Sequence, residues 1–286
     1  MKKDWKRWGS LVFLCTLLFF CGCQGKESGE GFLEEQNAPG LTVTFFNVGK
    51  GDAILIEAEE ERMLIDSGYD DTSGEILGYL EEQGIRRLDY LVITHFDKDH
   101  VGGADHVLEA VEVGEILQPD YVSESGQYLE YREALEQAGK EPVLVTETWT
   151  LSLGNAELVV YPPQQEEYKE EDNDFSLVIS MAYGERRFLF AGDSERERLK
   201  ELLSQSEFEL AHDLLKVPHH GREEKNSREF LEAVCPEFAV ITCSEDKPAE
   251  PEILKILDGM GTKTYQTWEG TVICQSDGTF LEMRTE

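Results

Sequence analysis

Basic residues are scarce in this sequence of 286 residues. It holds 26 Lys and Arg against 59 Asp and Glu, which gives a formal net charge of −33 at pH 7. A protein that binds nucleic acid along its backbone normally presents a basic patch, because neutralised phosphates release counterions. The sequence shows no such patch. The charge therefore argues against a dedicated duplex-binding protein, although bound dications reverse the local field at a metal site.

Cysteine is also scarce, and its distribution excludes a disulfide framework. Three of the six cysteines precede residue 24, which leaves Cys235, Cys243 and Cys274 for the rest of the chain. An odd number leaves at least one thiol unpaired or in an intermolecular bond. The strand-like surroundings of Cys243 and Cys274 favour core cysteines, while one disulfide among the three stays open.

Long apolar runs are absent beyond the first residues, so the sequence offers no transport channel. A basic head at 1–7 precedes an apolar run at 11–20, which is short for a bilayer span and typical of a signal peptide. The Gly22-Cys23 pair resembles a bacterial lipoprotein processing site. We expect a lipoprotein signal peptide at 1–22, lipidated Cys23 with a flexible linker at 23–40, and a folded domain at 41–286. An uncleaved anchor is the alternative, and both place the domain outside the cytoplasmic membrane.

A cluster of potential metal ligands follows the apolar, strand-like run at 88–94. Buried carboxylates without partners are costly, and a metal ion removes that cost. Side chains alternate along an extended turn, so His95, Asp97 and Asp99 point in related directions. The side chain of His100, next to Asp99, turns towards a second ion. The spacing therefore predicts two divalent metal ions, zinc or manganese. The four residues are His95, Asp97, Asp99 and His100.

Two further ligand candidates, Asp193 and the His219-His220 pair, also follow strand-like runs. We expect Asp193 to bridge the two ions. The two histidines are not both expected to be ligands, and His220 is favoured because it directly precedes Gly221. His219 then becomes a hydrogen-bond donor behind the ligands or a substrate contact, and Asp99 and His219 are the candidate catalytic residues. In this assignment one ion takes His95 and Asp97, and the other takes Asp99, His100 and His220.

Six segments together resemble the metallo-β-lactamase domain of ComEC-type competence proteins and their secreted relatives. The resemblance implies an α/β fold, an αβ/βα sandwich of two mixed sheets flanked by helices, with the metals at one end. It also implies that Asp52 and Asp66 lie behind the ligands and orient the histidines. The matching segments are FNVGKGDA at 46–53, IDSG at 65–68, THFDKDHVGG at 94–103, DFSLV at 174–178, LFAGD at 189–193 and LKVPHHG at 215–221.

The chain departs from the family pattern at four places. Asn47 stands where relatives usually have Asp, and Lys50 where they have Gln. Arg222 stands where Ser normally follows the histidine pair, and Lys247-Pro248 takes the place of a late His-Pro pair. These changes bear on the rate and on the choice of substrate, because they surround an intact set of expected ligands.

Hydrolysis is the reaction that such a centre predicts, because a water shared by two ions becomes a nucleophile near neutral pH. A phosphodiester is the leading substrate, and the acidic chain favours small or short substrates over long nucleic acid. The expected partners are thus a small hydrolysable substrate and, through the N-terminal lipid, the membrane. Hydrolysis of a lactone or β-lactam, and a non-catalytic surface binding module of the same fold, are the alternatives.

Overall fold

The computed structural model describes residues 40–169 and 172–286, so the predicted signal peptide, Cys23 and almost all of the linker lie outside the described residues. Six helices occur within these ranges: α1 (Ser73–Glu82), α2 (Ala104–Ala110), α3 (Gly126–Ala138), α4 (Arg196–Ser204), α5 (Ser227–Val234) and α6 (Pro251–Met260). None of the helices in the described part of the chain is long and apolar enough to cross a bilayer.

The strands form two mixed sheets. The strands are β1 (Leu41–Phe45), β2 (Ile54–Ala58), β3 (Glu61–Ile65), β4 (Arg87–Val92), β5 (Glu112–Pro119), β6 (Val143–Val145), β7 (Trp149–Leu153), β8 (Ala156–Tyr161), β9 (Val178–Tyr183), β10 (Arg186–Phe190), β11 (Leu214–Lys216), β12 (Phe238–Ile241), β13 (Lys263–Gln266), β14 (Val272–Ser276) and β15 (Leu281–Thr285). One sheet has the order β15-β14-β1-β2-β3-β4-β5-β6 and the other β13-β12-β11-β10-β9-β8-β7.

The core lies in three apolar layers, which account for the strands that are buried on both faces. Between the sheets, inward residues of both meet, and the rings of Phe45 and Phe190 lie 6.2 Å apart between centroids. The opposite face of the first sheet packs against α1, α2 and α3, as Leu55 and Ile76 do in one cluster. The second sheet packs likewise against α4, α5 and α6. This helix–sheet–sheet–helix arrangement confirms the predicted αβ/βα sandwich.

Parallel pairing places the ends of several strands at one edge. Strands β3 to β6 run parallel in the first sheet, and β10 to β13 run parallel in the second. The carboxyl ends of such strands are where open α/β sheets hold ligands. Every predicted metal ligand follows one of these strands directly, so the topology brings them towards one end of the sandwich.

Two local features differ from or refine the sequence analysis. Strand β4 ends at Val92 rather than at residue 94, because the Thr94 amide turns away and donates to Asp66 Oδ1 at 2.7 Å. Cys235, Cys243 and Cys274 are all free thiols, and the last two are buried. The structure thus agrees with core cysteines at those two positions and shows no disulfide among these three.

Candidate metal centre

Four loops converge at the end of the sandwich. Asp66 follows β3, residues 95–100 follow β4, Asp193 follows β10, and the histidine pair follows β11. The backbone ties these loops together, since Ser67 N donates to His100 O at 2.7 Å and His219 N donates to Gly192 O at 3.3 Å. Residues from the first and second sheets therefore meet in a single centre.

Asp193 lies at the middle of this centre. Its Oδ2 is 2.8 Å from His220 Nε2 and 3.3 Å from His100 Nε2. His220 Nε2 also lies 3.6 Å from Asp99 Oδ2. All four side chains are buried. Their ligand atoms point towards one small volume, which suits the bridging position expected of Asp193.

His95 and Asp97 flank this group on the other side. The His95 ring lies 4.0 Å from the His100 ring between centroids, and its Nε2 is 3.9 Å from Asp97 Oδ2. His95 is fully buried, yet its Nε2 has no hydrogen-bond partner among the residues that the structure describes. The Asp97 side chain is 38% exposed, so it forms the accessible rim of the centre.

The donor set fits divalent metal ions. A buried imidazole nitrogen without a partner is costly, and a bound cation would satisfy it. Imidazole and carboxylate together are ligands that zinc and manganese accept. The centre could hold such ions with the six residues expected from the sequence: His95, Asp97, Asp99, His100, Asp193 and His220.

The carboxylates at the centre differ in their titration. Burial raises the pKa of Asp97 to about 6. Burial also acts to raise the pKa of Asp99, but the charges of His100, His220 and Lys50 outweigh it and lower that pKa to about 2. Asp99 is therefore ionised throughout the neutral range, whereas Asp97 gains a proton in mildly acidic solution.

Asp66 lies directly behind His100. Its Oδ2 is 2.8 Å from His100 Nδ1 and accepts the Thr94 hydroxyl at 2.6 Å. A carboxylate at Nδ1 fixes the ring and leaves Nε2 as the nitrogen that faces the centre. This is the geometry that the expected orienting role of Asp66 requires.

Asp52 has a less direct arrangement. Its carboxylate oxygens are 3.6 Å from His220 Nδ1 and 3.9 Å from His100 Nδ1. Its shorter contacts are to Lys216 Nζ at 2.5 Å and to the Thr242 hydroxyl, which donates at 2.6 Å. His220 Nδ1 instead lies 2.8 Å from Thr242 O. Asp52 therefore contacts the groups around His220 more closely than it contacts either ring.

Lys216 is a buried cation that the sequence analysis did not single out. Its Nζ lies 2.5 Å from Asp52 and 3.2 Å from Asp193, and it donates to Gly192 O at 2.9 Å. Burial acts to lower its pKa, but these two carboxylates raise the pKa above the usual lysine value. The available signal was a lysine inside the apolar run that precedes the histidine pair.

The two neighbouring histidines point to different surroundings. His219 and His220 have φ of 46° and 53°, a left-handed conformation that is costly for non-glycine residues. His220 joins the cluster around Asp193, whereas His219 Nδ1 lies 3.0 Å from Glu195 Oε1 and 3.7 Å from Glu224 Oε1. Although these carboxylates are close, His219 Nδ1 makes no hydrogen bond within the described part of the chain. The structure therefore places the two imidazoles in different surroundings.

Comparison with solved structures shows the fold. The metallo-beta-lactamase fold protein YhfI from Bacillus subtilis aligns over 79% of this chain and 95% of its own, with a TM-score of 0.54 and 12% identity. CmlA, a diiron beta-hydroxylase from Streptomyces venezuelae, aligns over 87% of this chain and 55% of its own, with a TM-score of 0.51 and 18% identity. At these identities the likeness concerns the architecture alone.

Sequence relatives lie among competence proteins. ComE operon protein 3 of Bacillus subtilis is 27% identical over 81% of this chain and 31% of its own length. Recombination protein 2 of Haemophilus influenzae is 27% identical over 83% of this chain and 27% of its own length. The chain thus spans less than a third of the length of these relatives.

A family model covers most of the region that holds the predicted ligands. The model of the metallo-beta-lactamase superfamily matches residues 46–243, a span that starts before Asp52 and ends after Thr242. Together with the two mixed sheets and the competence relatives, this match confirms the resemblance inferred from the six segments. The chain belongs to the metallo-beta-lactamase superfamily.

Proposed function

We propose that this superfamily member is a metal-dependent phosphodiesterase that acts on small or short substrates. The observation that carries the proposal is the buried convergence of His100, His220, Asp99 and Asp193, with the unsatisfied His95 Nε2 beside it. A site with several carboxylates among its ligands suits two dications and a phosphate centre. The relatives named for competence and recombination support a phosphodiester over an amide or ester.

Two divalent ions held by these residues would acidify a water near neutral pH and would stabilise negative charge on the phosphoryl oxygens. Asp99 remains ionised, so its carboxylate is available to accept a hydrogen bond from the attacking water and align it. We assign His219 as the proton donor to the leaving oxygen. The nearby Glu195 carboxylate would hold its ring in place.

Metal analysis and one simple substrate test the proposal. The purified chain should contain two zinc or manganese ions and hydrolyse bis-p-nitrophenyl phosphate. Metal without diester hydrolysis, but with turnover of a lactone or β-lactam, would move the activity to that alternative. A chain that neither contains metal nor binds zinc or manganese on titration would be a binding module.

The roles of the two neighbouring histidines can be separated. His219→Asn should lower kcat by about a hundredfold, the usual scale of general acid catalysis, while two metals remain bound. The loss should shrink for a substrate with a more acidic leaving group, which needs less protonation. An unchanged kcat, or loss of a metal ion, would contradict the assignment of His219 as the proton donor.

We also propose that the protein is held outside the cytoplasmic membrane by lipid on Cys23. The support is the sequence alone: the basic head, the short apolar run and the Gly22-Cys23 pair. Two acyl chains would anchor the domain stably at the membrane surface. Palmitate labelling that is lost in Cys23→Ala would support this anchor, and equal labelling of both proteins would reject it.

A further inference from the structure

Lys50 brings a positive charge to the rim of the metal centre. Its Nζ lies 2.8 Å from Asp99 Oδ2, and the Lys50 side chain is 22% exposed. The other lysine at the centre, Lys216, is fully buried, and its ammonium lies between the carboxylates of Asp52 and Asp193. Of these two cations, Lys50 is therefore the one that a molecule entering from solvent can reach.

Tyr69 approaches the same carboxylate oxygen. Its hydroxyl lies 3.5 Å from Asp99 Oδ2, and its side chain is half-buried. A phenol hydroxyl can donate a hydrogen bond to an acceptor beside it. Lys50 and Tyr69 thus form a pair of donors, the Lys50–Tyr69 pair, beside one ligand oxygen.

The backbone holds both donors at this position. Asp52 N donates to Asp99 O at 3.0 Å, and a Cβ on Gly51 would lie only 2.6 Å from that oxygen, so the loop before Asp52 is fixed against Asp99. Tyr69 begins a tight turn in which its amide donates to the Thr72 hydroxyl at 3.2 Å. The backbone that carries both side chains is therefore held beside Asp99.

A dication at Asp99 would change what these donors can bind. The ion would take electron density from Asp99 Oδ2 and repel the ammonium 2.8 Å away. The freed donors would then face an anion bound at the metals. Charge-assisted hydrogen bonds from Lys to phosphate oxygens are among the stronger polar contacts in proteins.

We propose that the Lys50–Tyr69 pair binds an anionic oxygen of the substrate, and so selects phosphate esters over uncharged esters and lactones. The inference rests on the proposed hydrolase function, because it requires a substrate at the metal centre. It explains how a chain with a net charge of −33 retains a negatively charged substrate beside its own carboxylates.

Binding of inorganic phosphate to the metal-loaded protein tests the pair without any turnover. Lys50→Gln should weaken the phosphate Kd by about tenfold, the usual scale for loss of one charged hydrogen bond. Tyr69→Phe should weaken it by about threefold, as expected for a neutral donor. Lys98→Gln is the matched control, because it removes the same charge from an exposed side chain between Asp97 and Asp99. Lys50→Arg should restore most of the affinity.

Metal content is measured in the same samples, so that failure of the proposed role of the Lys50–Tyr69 pair can be distinguished from failure of the proposed function. Equal phosphate affinity in Lys50→Gln and Lys98→Gln, or no phosphate binding by the loaded wild type, would overturn the role of the pair. Loss of metal in Lys50→Gln would also overturn it, because Lys50 would then support the site itself. Failure of the proposed function would appear instead as a wild type without metal or without ester hydrolysis.

With a reactive diester, the same variant should separate KM from kcat. Lys50→Gln should raise KM for bis-p-nitrophenyl phosphate by about tenfold and leave the KM for a neutral p-nitrophenyl ester unchanged. An equal rise for both substrates would show a general disturbance of the site and would contradict selection by charge.

Discussion

The two sides of the metal centre are supported differently. We call the side with His100 and His220 the His100 side, and the side with His95 and Asp97 the His95 side. On the His100 side, His100 Nδ1 lies 2.8 Å from the Asp66 carboxylate, and His220 Nδ1 lies 2.8 Å from Thr242 O. On the His95 side, His95 Nδ1 contacts only hydroxyl groups among the described residues, those of Thr94 at 3.0 Å and Ser176 at 3.5 Å. One side is thus backed by a charge and a carbonyl, and the other by neutral groups.

The two imidazoles also differ in basicity. Burial acts to lower the pKa of both His95 and His100. Around His100 the charges of Asp193 and Asp66 outweigh burial and raise the pKa, whereas the pKa of His95 stays well below its ordinary value. A more basic and better oriented imidazole is a stronger ligand. We therefore expect the His100 side to bind its metal first and more tightly.

The largest effect should follow from removing a ligand on the His100 side. His220→Ala deletes the side chain that lies nearest to Asp193, and its replacement leaves that buried carboxylate without its contact at 2.8 Å. Diester hydrolysis should fall by more than about a hundredfold, beyond the 10–100-fold typical of groups behind the ligands. Elemental analysis should show loss of the tightly bound ion. Retention of both metals would show that His220 is not a ligand.

Asp97→Ala should abolish turnover with less damage to the protein. The side chain lies on the accessible rim, so its removal should leave the thermal midpoint nearly unchanged while one of two metal ions is lost. Isothermal titration of this variant with manganese would then show one tight binding event, that of the metal ion on the His100 side. Full activity in this variant would reject Asp97 as a ligand, and loss of both ions would remove the proposed difference between the two sides.

Asp66→Asn tests the support behind His100. The substitution removes a charge from a fully buried position and weakens the contact at His100 Nδ1. The affinity for the metal ion on the His100 side should fall by 10–100-fold, the range found for such partners, and we expect a fall of about tenfold. The exposed Asp120 gives a control, since Asp120→Asn makes the same change away from the centre. Equal metal affinities of the two variants would contradict the orienting role.

The smallest effect concerns pH. Because burial raises the pKa of Asp97 to about 6, a proton occupies this carboxylate below that pH and competes with a metal ion. Metal affinity on the His95 side should thus fall about tenfold per pH unit below 6, while the ionised Asp99 adds no such dependence there. In Asp97→Asn the slope of log metal affinity against pH should decrease between pH 5 and 6. Metal titration of this otherwise unchanged chain measures that slope. An identical slope in both proteins would assign the proton elsewhere.

Much of the site could be inferred from local sequence because its ligands follow strands directly. A dense set such as 94–103 has few explanations other than a metal, since four polar or charged groups cannot be buried together without a counter-charge. The same reasoning missed Lys216 and Glu195. A single lysine or glutamate in a sequence becomes meaningful only when its neighbours in space are known, and those neighbours come from distant loops.

The sequence by itself determined the superfamily, the αβ/βα sandwich and the six candidate ligands, because strand patterns and ligand spacing are local properties of the chain. Only the tertiary structure placed His220 in the cluster and His219 beside Glu195, since both follow the same strand and differ by a left-handed turn. It also decided that Lys50 faces Asp99, a contact between residues 49 positions apart. Such pairings depend on how two sheets meet at one edge, which no local pattern encodes.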